Sequence, residues 1–416
     1  MGTPDRIPEM SRPTRVLRSV PPTSDEREKV DSLVKSFSIV IGGPVYDSLL
    51  RFGRVRQGLP NVARRIAAVV GITWLPLLLL SLNNRMAFGH NVTIPFLYDL
   101  SMYGRLWLGL PLLILAEVVI DRAIRSTLAE LVESHIVPDE ELKNFASVLG
   151  SIQRLRDSWI PELILLVLAF FPAFVFQHEW TAGVVSSWHT TASGLTAAGW
   201  WFAVFSAPLL RFVIYRWAFR YFLWALLLWR IRGLRLSLIP THPDHAAGLG
   251  FISASQKHFG ILFCALGCIF ASRIANTMLF ERAALSSFKG LMGAFLVMSV
   301  IIGLLPLGLL YFKLRKVRAA GLLDYGRLAY NYGDLFDSKW VHNANPPTES
   351  MLGTSDIQAL SDMGSSFALV DTMRVLPISK RLVLQLAAQA TIPLVPVIVM
   401  GTPTPELVHA VMKMIV

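Results

Sequence analysis

The chain has 416 residues, 53% of them hydrophobic and only 16% charged, with a mean hydropathy of +0.51. Soluble domains run nearer a quarter charged, so this composition excludes an ordinary water-soluble domain and makes lipid the solvent for much of the chain. The formal charge of +11 gathers at the ends of apolar runs, a pattern that membrane orientation and anionic lipid explain without nucleic acid.

The first sixty residues are polar and rich in proline and charge, with no cleavable leader pattern. Residues 1–30 read as a disordered arm. A short amphipathic helix is expected around Val34–Leu50, interrupted by Gly42-Gly43-Pro44. Residues 1–60 are thus expected to form a partly disordered cytoplasmic arm.

A membrane-crossing helix needs about twenty mostly apolar residues. Runs of that kind fall at about 64–82, 103–121, 159–176, 196–230, 258–280 and 290–312, with a seventh at about 382–400. Arg51, Arg54, Arg56, Arg64 and Arg65 precede the first run. Arg122, Arg125, Lys143, Arg154 and Arg156 lie between the second and third. Arg230, Arg232 and Arg235 follow the fourth, and Lys313, Arg315, Lys316 and Arg318 follow the sixth. The alternate connections are poor in cations, and 177–195 contains no Lys or Arg. The positive-inside rule then places the N-terminus in the cytoplasm. Trp180, Trp188, Trp200 and Trp201 are expected at the outer interface, and Trp159, Trp224 and Trp229 at the inner one.

The expected fold is an all-α integral membrane protein with six or seven transmembrane helices and cytoplasmic helical extensions. Its parts are a six-helix region at 61–312, a cytoplasmic segment at 313–380 and a proline-broken membrane segment at 381–416. Within the first, 121–158 forms a cytoplasmic helical hairpin. Pro138-Asp139-Glu140-Glu141 opens a helix on which Leu142, Phe145, Leu149, Ile152 and Leu155 recur at helical spacing. In the 313–380 segment, Leu328, Tyr332, Leu335 and Phe336 repeat likewise, and Ser355 with Gln358 forms a capping-box pattern. Pro393 and Pro396 break the last run, which either crosses or re-enters the membrane.

Two places could carry chemistry. The first is the cytoplasmic loop Pro240-Thr241-His242-Pro243-Asp244-His245-Ala246-Ala247-Gly248-Leu249-Gly250-Phe251. Two imidazoles and a carboxylate within four residues could seed an ion site. The weightier reading is that Asp244 caps the helix that follows and the prolines fix its entry. The spacing supplies no complete metal set, no phosphate loop and no catalytic triad, so no cofactor, metal or catalytic residue is expected. The second is charge inside the apolar runs: Arg211, Arg216 and Arg220 in the fourth, Arg273 in the fifth, and Glu117 and Asp121 in the second. A charge in hydrocarbon costs about 2.5–3.5 kcal/mol on insertion scales, so such residues face protein or water and usually pair. Arg211 and Arg273 either attract an anion or are neutralised by an acid such as Glu117.

The loop pattern P-T-H-P-D-x-x-x-G-L-G-F and the stretch Leu352–Leu360, followed by Arg374 to Pro377 and the proline-broken last run, resemble those of a group of bacterial polytopic inner-membrane proteins. The resemblance covers about residues 60–416. It implies a bacterial inner membrane and assigns no activity. Ala247 departs from the pattern where a second glycine is common.

The leading expectation is a membrane channel or transporter for a small ion or solute, in a homo-oligomer bedded in lipid that is anionic at the cytoplasmic face. Arg211, Arg273 and Glu117 would shape its path, and Thr241, His242, Asp244 and His245 would gate or bind at its cytoplasmic mouth. The alternative is a non-transporting scaffold that docks a partner through its cytoplasmic helices. A third reading is a lipid-directed enzyme using His242, Asp244 and His245.

Overall fold

The computed structural model describes residues 24–43, 62–89, 91–175, 186–191, 194–342, 350 and 353–402. The stretch 1–23, the connection residues His178, Glu179 and Trp180, and the tail Pro405–Val416 lie outside it. The described chain is mostly helical, and it is a multi-pass membrane protein. Its helices are α1 Ser24–Ser36, α2 Val62–Asn83, α3 Leu110–Glu133, α4 Leu142–Arg156, α5 Trp159–Val175 and α6 Ala197–Ile231. They continue with α7 Gly250–Phe280, α8 Leu285–Gly308, α9 Tyr311–Phe336, α10 Ser355–Asp371 and α11 Lys380–Gly401. A two-residue hairpin, β1 Thr190–Thr191 with β2 Gly194–Leu195, precedes α6.

Among these, α2, α6, α7, α8 and α11 are long and apolar enough to cross a bilayer. The second apolar run forms α3 and the π-helical stretch Tyr103–Gly109 that leads into it, but Glu117, Asp121 and their neighbours make it less apolar than the other rods. The third run is α5, described as far as Val175, and its apolar stretch Trp159–Phe171 is shorter than a span among the described residues. Leu79, Val167, Leu305 and Val399 all point out of the protein. Large outward apolar faces on so many rods are stable only against hydrocarbon.

The rod α7 is central, with the π-stretch and α3 on one side and α11 on another, while α11 also packs on α8. Close approach of the π-stretch depends on Gly104, where a Cβ would collide with Ser272. Pro393 and Pro396 do not end α11. The chain passes through a 3₁₀ turn at Ile392–Leu394, and each proline stands in the first turn of the piece it opens, where its missing N–H is least costly. The rod's 22 residues reach about 33 Å, enough for the hydrocarbon core.

Several expectations change. Among the described residues the first helix is α1, so residues 24–30 of the expected disordered arm are helical, while residues 44–50 of the expected Val34–Leu50 helix lie outside the described residues. Gly42 and Gly43, at φ +129° and +95°, fold the chain away beyond it, and Phe37, Ile39 and Val40 are buried. Trp188 and Trp224 are not interface anchors: both are fully buried, and they donate to Asp99 Oδ2 and Gln256 Oε1, each at 2.8 Å. The capping box at Ser355 is not formed. The helix starts one residue earlier than a Ser355 cap requires, with Thr354 at the cap position, and Gln358 donates to Asp362 at 2.9 Å instead. The hairpin helix α4 is as expected, burying Leu142, Phe145, Leu149 and Ile152.

Candidate functional site

The sequence alone divides the molecule into a cation-rich end, where α4, α9 and α10 lie, and an opposite end carrying the β-hairpin. Each end holds a cluster of arginines.

At the cation-rich end the charges are matched. Glu117 on α3 is buried. It accepts a hydrogen bond from Arg220 on α6 at 2.9 Å and another from Arg65 on α2. One turn before Arg220, Arg216 faces Glu162 of α5 at 3.6 Å. Arg220 also donates to the Val40 carbonyl at 3.0 Å and lies 5.0 Å from the Trp217 ring centroid. The chain after α1 is sewn into the same network. Ser38 donates to Asp121 and accepts from the Val40 and Ile41 N–H groups at 2.9 and 2.7 Å. Asp121 meets Arg125 at 2.6 Å, and Arg156 donates to the Ser38 carbonyl. Burial of so much charge is tolerable because each ion has an opposite partner and further hydrogen bonds.

At the opposite end the balance differs. Arg105 sits in the π-stretch, Arg211 on α6 and Arg273 on α7, and the charges of Arg273 and Arg211 both act on the Arg105 guanidinium. Asp99 is the carboxylate acting on Arg105 among the described residues. Asp99 is itself buried and committed: it accepts from Trp188 Nε1 at 2.8 Å and from the Ser101 N–H and hydroxyl at 3.0 and 2.5 Å. Arg105 stands 5.8 Å from the Phe202 ring centroid. Arg211 donates to the Ala169 carbonyl of α5 at 3.3 Å, and Arg273 is exposed. His189, in the connection before α6, bonds Ser187 through Nδ1 at 2.9 Å. Burial holds its pKa below the ordinary histidine range, and Arg105 and Arg273 push the same way against Asp99.

Arg211 and Arg273 therefore each lie within electrostatic reach of Arg105, and Arg105 and Arg273 both act on His189. Glu117 does not join them, being engaged by Arg65 and Arg220 at the other end. Arg105 was not a sequence candidate because it precedes the apolar core of its run. Gly104 and Gly109, which flank it, were the available signal: they mark where that rod lies against α7.

The loop Thr241–His245 is a structural clasp. Asp244 accepts the backbone N–H groups of Ala246, Gly248 and Gly250 at 2.7, 3.1 and 2.8 Å. Burial disfavours its charge, but these three donors together with His242 outweigh burial and hold the carboxyl below its usual range. Gly250 opens α7, and a Cβ there would come within 2.9 Å of Asp244 Oδ2. His245, Ala247 and Gly248 have φ of +53°, +55° and +93°, so the wrap around Asp244 needs left-handed backbone. The clasp also ties distant pieces. Arg374 donates from its backbone to the His245 carbonyl at 2.7 Å and from its guanidinium to the Asp244 carbonyl at 2.9 Å. His245 Nδ1 lies 3.2 Å from the Thr372 hydroxyl, and Thr241 lies 3.4 Å from Tyr325 of α9. The P-T-H-P-D-x-x-x-G-L-G-F spacing is thereby accounted for as an anchor between α7, the α9–α10 hairpin and α11. His242 faces Asp244 at 2.9 Å. Among the described residues, no group of three or more His, Cys, Asp or Glu side chains is assembled as a metal set.

Comparison of the chain with protein-family models, curated proteins and solved structures finds no match. The arrangement defines a helical multi-pass membrane protein with a neutralised ion network at one end and a cation-rich cluster at the other.

Proposed function

We propose that the protein is a membrane channel or transporter for a small anionic solute, and that Arg105, Arg211 and Arg273 receive that solute. The observation behind this reading is that guanidiniums from two other rods, Arg211 and Arg273, both lie within electrostatic reach of Arg105, beside an acid already committed to Trp188 and Ser101. Like charges repel, most strongly at the half-buried Arg105, and an anion lowers that cost. His189 extends the cluster, and its protonation would strengthen the attraction.

In this reading the protein is a homo-oligomer of a bacterial inner membrane with six or seven spans and its N-terminus in the cytoplasm. The cation-rich end faces inward, in contact with anionic lipid. Glu117 and its arginines hold the bundle together rather than contact the solute, and the Asp244 clasp fixes the cytoplasmic ends of the rods. Purified protein in liposomes is expected to pass halide or a small carboxylate. Arg105→Gln and Arg273→Gln are each expected to cut that flux about tenfold while the fold survives. Equal flux in wild type, variants and empty liposomes overturns the proposal.

A second reading, a scaffold docking a partner through its cytoplasmic helices, rests on a different observation. Leu323, Leu328, Tyr330 and Leu335 of α9 are all exposed, although α10 packs along the same helix. A soluble protein that co-purifies and is lost on Leu328→Glu, with no flux of any ion, would favour that reading.

A further inference from the structure

The flank of α3 at the cation-rich end carries an open groove of about 450 Å³ between α3 and the start of α7. Val118, Arg122 and Ser126 line it from α3, and Phe251, Lys257 and His258 from α7. Its chemistry is layered along the rod. Val118 lies towards the apolar middle of the bundle, Arg122 one turn nearer the cation-rich end, and Ser126 one turn beyond that. Arg122 is exposed. Neighbouring Arg125 is held by Asp121 and the Lys35 carbonyl, whereas the side chains of Arg122 and Lys257 make no ion pair or hydrogen bond among the described residues. One acid, Glu130, also lines the groove, two turns past Arg122. Two cations and one carboxylate leave a single positive charge. His258 is within 3.2 Å of the Ser255 carbonyl through Nδ1. A neutral ring that donates Nδ1–H there presents Nε2 as an acceptor.

We propose that this groove seats one monoanionic, hydroxyl-bearing phospholipid of the phosphatidylglycerol type. The phosphodiester would lie between Arg122 and Lys257, the acyl chains along Val118, and the headgroup hydroxyls towards His258 Nε2 and Glu130. A single phosphodiester matches the groove's net charge, and Glu130 disfavours lipids carrying further phosphates. The groove lies on the outer wall of the bundle, at the level where the flanking cations gather, which is where a leaflet's phosphates run. The site is distinct from the Arg105 cluster at the opposite end and does not depend on what that cluster passes.

The test is native mass spectrometry of the full-length protein released from nanodiscs holding equal phosphatidylglycerol and phosphatidylcholine. Wild type is expected to retain phosphatidylglycerol in preference. The double variant Arg122→Gln, Lys257→Gln is expected to lose that preference about thirtyfold, the scale set by removing two cations from an anionic surface. The charge-keeping pair Arg122→Lys, Lys257→Arg should retain it. Arg154→Gln, an exposed cation elsewhere at the same end, should leave it unchanged. Elution volume and melting temperature of each variant report folding. Equal retention of the two lipids by wild type overturns the proposal, as does equal loss in Arg154→Gln, which would make the preference a diffuse surface effect. Displacement of the lipid by millimolar inorganic phosphate also overturns it, because the site would then belong to a soluble phosphate.

Discussion

The two arginine clusters share α6 and the rod of the second apolar run and are built in opposite ways. Around Glu117 every cation described has a carboxylate or a carbonyl within bonding distance, and a segment from outside the bundle, Ser38 to Ile41, supplies further partners. Around Arg105 the guanidiniums of Arg211 and Arg273 both act on a third, and the nearby acid is tied to an indole and a serine. The first arrangement minimises the energy of the resting protein. The second leaves a positive potential that a mobile anion can relieve. Buried charge therefore has two meanings in one molecule, and partner geometry separates them where residue type does not.

The largest expected effect comes from the matched cluster. Glu117→Gln strands Arg220 and Arg65 and is expected to cost about 3–5 kcal/mol, read as a lower midpoint in detergent melts. Adding Arg220→Gln should restore part of the loss, and a double mutant no more stable than the single would remove the pairing from this account. Asp244→Ala is expected to cost about 2 kcal/mol through three orphaned N–H groups. Asp244→Asn should cost less, since its amide oxygen still accepts. Next is Arg105→Gln, expected to hold or raise the midpoint while reducing anion flux about tenfold. A drop in stability matching that of Glu117→Gln would make the two clusters alike and sink the comparison.

Histidine 189 gives a pH test of the cluster at the opposite end. Its folded pKa is depressed, so the fold favours the neutral ring. That contribution is complete above the ordinary histidine range and is lost as pH falls from there through the depressed folded value. Anion binding should move the other way and strengthen over the same window, because the protonated ring adds a charge. His189→Gln is expected to flatten both profiles between about pH 6.5 and the depressed value. The smallest effect is Ala247→Gly. An alanine at φ +55° carries left-handed strain of about 1 kcal/mol that glycine relieves, so the melting midpoint should rise slightly. This strain also explains why glycine suits that position of the loop pattern.

Several parts of the site were legible early and several were not. Asp244 could be read as a cap from its place before Gly248-Leu249-Gly250, since the hydrogen bonds involved are local. Glu117 could be recognised as needing a partner but not matched to one, because Arg65 and Arg220 stand 52 and 103 residues away. Arg105 was hidden for a geometric reason: the π-stretch carries the rod beyond its apolar core and turns a residue resembling a loop cation into a wall of the bundle. Trp188 and Trp224 read as interface residues because an indole suits an interface, yet a carboxylate and an amide waiting inside let both be buried.

The sequence by itself determined the solvent, the long apolar rods and the cation asymmetry, because hydrophobic length and flanking charge act locally and need no partner. Only the tertiary structure decided which arginines meet acids and which face Arg105, that the residues after α1 turn inward, and that the last rod runs through its prolines. Those outcomes depend on side chains far apart in the chain arriving at the same place, and electrostatic energy changes too steeply with distance and burial for spacing along the chain to reveal it.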